Sequence, residues 1–245
     1  MRIFITGSSD GLGLLAAQRL IAEGHHVVLH ARNAERAKVA REKAPGAAGV
    51  LIAELARAEE VLDLAQRVNA LGSFDAVIHN AGVYTAPNPE IFAVNCLAPY
   101  ILTCRIGGET TDKRPERLIY LSSGMHTGGR ARFGNPQQDT FYSDSKFQIL
   151  LLMKAAARAW PGVYSNAVNP GWVPTKMGGP GAPDDLEEGY LTQVWLATSD
   201  EAAAKVTGKY FFHRKQERCA SGVTDTALQD AFIKRMEEIS GVPFR

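Results

Sequence analysis

The chain has 245 residues, of which 45% are hydrophobic and 22% charged, and its 27 Lys+Arg stand against 26 Asp+Glu for a formal net charge of +1. This is material for a packed core rather than a disordered segment, and the balanced charge offers neither the basic field of a nucleic-acid binder nor a polybasic membrane surface. Three cysteines without a CxxC or Cys/His pair, and six histidines without metal-ligand spacing, argue against a disulfide framework and a metal site.

Strand-like and helical patterns alternate along the chain. Arg2–Thr6 (RIFIT) is a short β-rich run, followed by helical spacing through Leu14, Leu15, Leu20 and Ile21. His25–His30 is a second strand and Ala34–Lys43 a charged helix. Val50–Ala53 and Phe74–His79 flank a helix with Val61, Leu64, Ala65 and Val68 on one stripe. Arg117–Ser122 is a fifth strand, Phe141–Arg158 a long helix, and Gly162–Pro170 contains a sixth strand. Lys209–His213 is a final strand between helices near Leu186–Thr198 and Thr226–Ile239. The alternation predicts an α/β fold: a doubly wound (Rossmann), three-layer α/β/α arrangement with a parallel sheet of about seven strands. No compositional break divides residues 1–245, so one domain is expected. Gly124–Thr140 and Pro174–Asp185 read as long loops, the second a substrate loop. The basic run His213–Arg218 reads as a solvated turn. No apolar run approaches the roughly 18 residues that span a bilayer, and the first element begins at Arg2, so a cytoplasmic protein without a leader is expected.

Thr6–Gly13 (TGSSDGLG) lies between the first strand and the first helix. Gly7, Ser9, Gly11, Leu12 and Gly13 are candidate contacts to a pyrophosphate, because glycines allow close backbone approach and the helix N-terminus supplies free N–H groups. The second strand ends in His30–Asn33 with no carboxylate for a ribose 2′-hydroxyl. Arg32 there suits a 2′-phosphate, which favours NADP(H), with NAD(H) as the alternative. Asp10, inside the turn, works against a phosphate. Tyr142 and Lys146 in YSDSK share a helix face, where an ammonium is expected to lower the phenol's pKa toward the working range.

TGSSDGLG, HNAG (His79–Gly82), Asn95, SSG (Ser122–Gly124), YSDSK and PGWVPT (Pro170–Thr175) occur in order and spacing similar to the short-chain dehydrogenase/reductase family, over Arg2 to about Thr207. The resemblance implies nicotinamide-dependent interconversion of carbonyls and alcohols. It makes Tyr142 the proton donor/acceptor, Lys146 its partner and the ribose contact, Ser123 the substrate-oxygen ligand, and Asn95 the holder of a relay water. It assigns Asn80, Ala81, Gly82, Pro170, Gly171, Val173 and Thr175 to the cofactor, with Glu54 and Leu55 near adenine. Ser123 and Tyr142 are wider apart than is usual in the family. The inserted segment carries His126 and resembles the retinol-dehydrogenase-like branch. Arg130 and Arg132 in it read as solvated. A homodimer or homotetramer is implied, through the helices at Phe141–Arg158 and Leu186–Thr198. The substrate expected is a small, apolar carbonyl or alcohol. The competing reading is a non-catalytic NADP(H)-sensing protein of the same fold.

Overall fold

The computed structural model describes residues 1–107 and 113–245. Its sheet contains β1 (Arg2–Ile5), β2 (His26–Ala31), β3 (Gly49–Ile52), β4 (Ala76–His79), β5 (Arg117–Leu121), β6 (Tyr164–Asn169), β7 (Tyr210–Phe212) and β8 (Lys215–Glu217). The spatial order is β3-β2-β1-β4-β5-β6-β7-β8, so successive strands are added outward on one side of β1 up to β3 and on its other side from β4 onward. Every neighbouring pair is parallel except β7 with β8.

The central strands are apolar on both faces, as a sheet covered on both sides requires. Phe4, Val28, Val77, Leu118 and Tyr120 point into one core. Their neighbours Ile3, Ile5, Val27, Leu29, Ile78, Ile119 and Leu121 point into the other. Helices α1 (Gly11–Ala22), α2 (Ala34–Lys43) and α8 (Leu186–Thr198) close the second core with Leu14, Leu20, Ala40, Val194 and Leu196. Helix α3 (Ala58–Ala70), the helical run Asn88–Arg105, α7 (Tyr142–Ala159) and α9 (Thr226–Ser240) close the first. The run Asn88–Arg105 consists of α4 (Asn88–Phe92), a π turn (Ala93–Leu97) and α5 (Ala98–Arg105). Pro99 has no N–H to give the Asn95 carbonyl, its partner in an α ladder, and the wider turn lies just before it.

Two loop expectations are corrected. His213–Arg218 is a hairpin turn followed by an eighth, antiparallel strand. His213 (φ 46°) and Arg214 (φ 62°) supply the two left-handed residues that a two-residue hairpin needs, without the Asn-Gly signature that would announce it. The exposed charges of Lys215 and Glu217 guard the sheet edge. Gly124–Thr140 contains a 3-10 turn (Gly124–Gly128) and a short helix, α6 (Pro136–Asp139). Helix α7 is buried from Asp144 through Met153, with α9 packed against it. Much of the surface through which the resemblance placed self-association is therefore covered within the chain. Among the described residues, no helix is long and apolar enough to cross a membrane.

Candidate active site

The turn after β1 packs against the exit of β4. Gly7 has φ +62°, and a Cβ there would lie 2.8 Å from the Ala81 Cα. Asn80 Nδ2 donates to the carbonyls of Thr6 and Gly7 at 3.0 Å each, and the Ala81 N–H donates to Thr6 Oγ1 at 3.1 Å. Gly13 serves packing rather than ligand contact: a Cβ would stand 2.3 Å from Asn80 Nδ2 and 2.6 Å from the Gly7 carbonyl oxygen. Gly13→Ala is therefore expected to destabilise the protein by about 1–3 kcal/mol and to weaken nucleotide binding by spoiling the turn. Thermal melts and NADPH titration check this; wild-type values in both would contradict it.

A cavity of about 340 Å³ runs from this turn to helix α7. Gly7, Ser9, Gly11 and Leu12 line it, with Arg32, Glu54, Leu55, Asn80, Ala81, Gly82, Tyr142, Lys146, Pro170 and Thr175. Gly13, Gly171, Val173, Asn95 and Ser123 are not on its wall. Gly171 (φ +82°) faces Asp184, and Val173 is buried. Residues that sequence reasoning passed over also line it, among them His30, Arg36, Lys176 and Met177. His30 is buried; its Nδ1 accepts from the Gly7 N–H and its Nε2 donates to the Ala53 carbonyl, both at 3.0 Å. Burial pushes the imidazole down to about 4, so it is a neutral brace between β2 and the glycine turn. Arg36 lies in the first turn of α2, four residues after Arg32, which precedes the helix cap Asn33.

Asp10 is less hostile to phosphate than its charge implies. Its carboxylate caps α1 by accepting from the Gly11 N–H, forms an ion pair with Lys176, and lies 4.0 Å from Arg36. The hydrogen bond from Lys176 holds its pKa below the usual carboxylate value. The same contact ties the loop after β6 across the glycine turn. Within that loop the Trp172 indole donates to the Gly178 carbonyl, and the Trp172 N–H donates to Asp184.

At the other end of the cavity, Lys146 Nζ lies 5.4 Å from the Tyr142 ring centroid and donates to the Leu121 carbonyl at 2.9 Å. The expected lowering of the phenol's pKa is not what this geometry produces. Burial dominates and pushes Tyr142 up to about 12, against a hydrogen bond from Ser123 that lowers it. Burial also pushes Lys146 down to about 8. At neutral pH Tyr142 is therefore a protonated phenol, which is the form that gives a proton. Ser122 lines the cavity and its Oγ donates to the Lys146 carbonyl at 2.8 Å, whereas Ser123 is half-buried and caps the 3-10 turn.

The Asn95 side chain is heavily engaged. Its Oδ1 accepts from the Val83 N–H, and its Nδ2 donates to the Val83 carbonyl and to Ser145 Oγ. This clamps the exit of β4. A relay water at Asn95 has only the remaining Oδ1 lone pair or the main-chain carbonyl to use. A Cβ on Gly82 would lie 3.3 Å from Lys146 Nζ and 3.4 Å from Asn95 Oδ1, so the two groups converge on that glycine.

Buried Asp144 gathers the inserted segment by accepting from the Arg130 N–H, the Arg132 Nε and the Phe141 N–H. Arg132 is thus half of an ion pair and Arg130 is exposed. His126 is buried, its Nδ1 donating to the Ser123 carbonyl at 2.7 Å and its Nε2 accepting from the Ala220 N–H.

Fold and cleft define a doubly wound α/β protein that opens at the β1/β4 switch point, where such sheets take their ligands. The short chain dehydrogenase family model matches residues 1–185. Short-chain dehydrogenase chyC of Penicillium rubens is 40% identical, covering 98% of each chain. Retinol dehydrogenase 14 of Homo sapiens is 27% identical over 98% of this chain and 85% of its own. A crystal structure of an uncharacterised protein from Mycobacterium Paratuberculosis superposes with a TM-score of 0.82 over 100% of this chain and 94% of its own, at 20% identity. One of a short chain dehydrogenase from Shigella flexneri, complexed with NADP, gives 0.68 over 87% and 97% at 26% identity. The chain belongs to the short-chain dehydrogenase family, and is by that membership an oxidoreductase.

Proposed function

We propose that the protein is an NADP(H)-dependent oxidoreductase that interconverts a carbonyl and an alcohol on a small, apolar substrate. The observation that carries this reading is that Tyr142 and Lys146 line the same cavity as the glycine turn after β1. The residues fit a dinucleotide: a Cβ would fill the close approach at Gly7, α1 points its N-terminus into the cleft, and cations stand at the β2 end. Ser9, Gly11 and Leu12 would hold the pyrophosphate, Glu54 and Leu55 the adenine end, and Lys146, Pro170 and Thr175 the nicotinamide half. When bound, the nicotinamide supplies or takes up a hydride at the substrate carbon.

In reduction, Ser123 and Tyr142 hold the carbonyl oxygen between two hydroxyl donors. Tyr142 Oη gives its proton to that oxygen as negative charge develops there, which lowers the barrier where the charge forms. Lys146 stabilises the phenolate left behind, and solvent returns the proton along the Lys146–Asn95 side of Gly82. Oxidation of the alcohol runs the same transfers backward. The experiment is a panel of ketones, aldehydes and secondary alcohols with NADPH or NADP⁺, read by nicotinamide absorbance. Turnover of part of the panel supports the reading. Cofactor binding without turnover of any member moves it to the sensing alternative.

The phosphate preference has its own expected result. Arg32→Ala and Arg36→Ala should each weaken NADPH binding by roughly 10- to 100-fold, the value of a charge-assisted hydrogen bond, with NADH binding nearly unchanged. A wild type that prefers NADH would contradict it. We propose that any homodimer or homotetramer uses surface other than the covered stretch Asp144–Met153; light scattering measures this.

A further inference from the structure

Seven large hydrophobic side chains are exposed among the described residues, and five of them, Tyr84, Met125, Phe141, Trp172 and Met177, lie on the segments that surround Tyr142. Tyr84 follows the β4 exit, and its ring stands edge-on to the Tyr142 ring at 4.7 Å between centroids. Met125 follows β5, and its N–H donates to Ser123 Oγ. Phe141 immediately precedes Tyr142. Trp172 and Met177 belong to the loop after β6, and Met177 lines the cavity itself. The other two, Met1 and Leu71, lie at the opposite end of the strands, where Arg2 donates to the Leu71 carbonyl. Isolated exposed apolar residues are ordinary; five on four separate segments next to Tyr142, with Met177 on the cavity wall itself, are a group, and grouped apolar exposure marks a binding surface.

The composition of that rim points to a class of ligand. Three rings and two thioethers offer flat contacts and sulfur–aromatic contacts, both favourable to another ring. None of these five side chains is charged; of the two arginines in the neighbouring insertion, Arg132 is paired with Asp144 and lies over the Phe141 ring at 5.5 Å, and Arg130 is exposed. We propose that Tyr84, Phe141 and Trp172, with Met125 and Met177, form a mouth for an uncharged aromatic ring system that bears the reacting carbonyl or carbinol. Tyr84 is its specificity-determining residue, because its ring, alone of the five, meets the Tyr142 ring. The proposal rests on the oxidoreductase reading and adds the substrate class to it.

The test compares 2-acetylnaphthalene with linear 2-dodecanone and with 4-acetylbenzoate, each reduced by NADPH. The aryl ketone should exceed the linear one in kcat/KM by roughly tenfold or more, and Tyr84→Ala should erase most of that ratio, mainly through KM, while Tyr84→Phe keeps it. Preference for the linear or the carboxylated ketone, or an unchanged ratio in Tyr84→Ala, would overturn the proposal. A second measurement separates it from the reading beneath it: calorimetric binding of 2-acetylnaphthalene to Tyr142→Phe in the presence of NADPH. Binding that Tyr84→Ala weakens, together with a wild type that turns over no ketone, leaves the aromatic mouth standing and removes the oxidoreductase. Absence of binding removes the mouth. Concentration-dependent mass in light scattering that is lost in Tyr84→Ala would make the rim a self-association face and also overturn the proposal.

Discussion

Replacing Tyr142 by Phe should lower kcat for ketone reduction by about three orders of magnitude, within the range that a positioned proton donor contributes. The ring stays, so its edge-on contact with Tyr84 and the wall of the cavity stay as well. NADPH should therefore bind within a fewfold of wild type, and kcat rather than affinity should carry the loss. Stopped-flow and steady-state kinetics on the two proteins separate these quantities. Turnover within tenfold of wild type would remove Tyr142 from the reaction. Because burial holds the phenol at about 12 in the cofactor-free protein, no ionisation of Tyr142 should limit ketone reduction through the neutral range.

Lys146→Met should do two opposite things. Activity falls, because no ammonium remains to stabilise the phenolate. Stability of the cofactor-free protein rises, because Lys146 is a buried cation whose ammonium donates to the Leu121 carbonyl. Its pKa is lowered from 10.5 to about 8 by burial, so the folded state carries the full desolvation cost below about pH 8, where the lysine is charged both folded and unfolded. Between that value and 10.5 the unfolded chain binds more protons, and wild-type stability rises with pH as the cost is relieved. The shift corresponds to about 3 kcal/mol at most, less about 1 kcal/mol for the carbonyl that loses its donor. A net gain of about 2 kcal/mol raises Tm by roughly 4–8 °C in a chain of this size. The gain should be largest near neutrality and shrink toward pH 10. A variant that melts lower than wild type at neutral pH would show that the buried ammonium is a net structural contact.

The parts of this site that were readable in sequence are those set by neighbours along the chain. Gly7 and Gly13 bracket a turn whose form follows from the strand before it and the helix after it. Tyr142 and Lys146 share a face because both lie on one helix. The central strands announced themselves as continuous apolar runs because a sheet covered on both faces needs no polar alternation. What escaped depends on segments far apart in sequence. Lys176 meets Asp10 only because the loop after β6 folds back over the turn after β1. His30 becomes a neutral brace because Ala53 and Gly7 close on it from two sides. The direction of the Tyr142 shift is hidden for the same reason: a sequence shows the lysine one turn away, but not the burial that dominates at the phenol. The hairpin at His213 and Arg214 was hidden by residues that rarely take left-handed geometry.

The most direct test of the central claim is a single turnover with NADPH carrying deuterium at the transferable C4 position and a ketone that the protein accepts, with the product analysed by mass spectrometry and NMR. The account predicts deuterium on the carbinol carbon of the alcohol and solvent hydrogen on its oxygen. Deuterium absent from that carbon, or NADPH left unconsumed with every ketone offered, would contradict it.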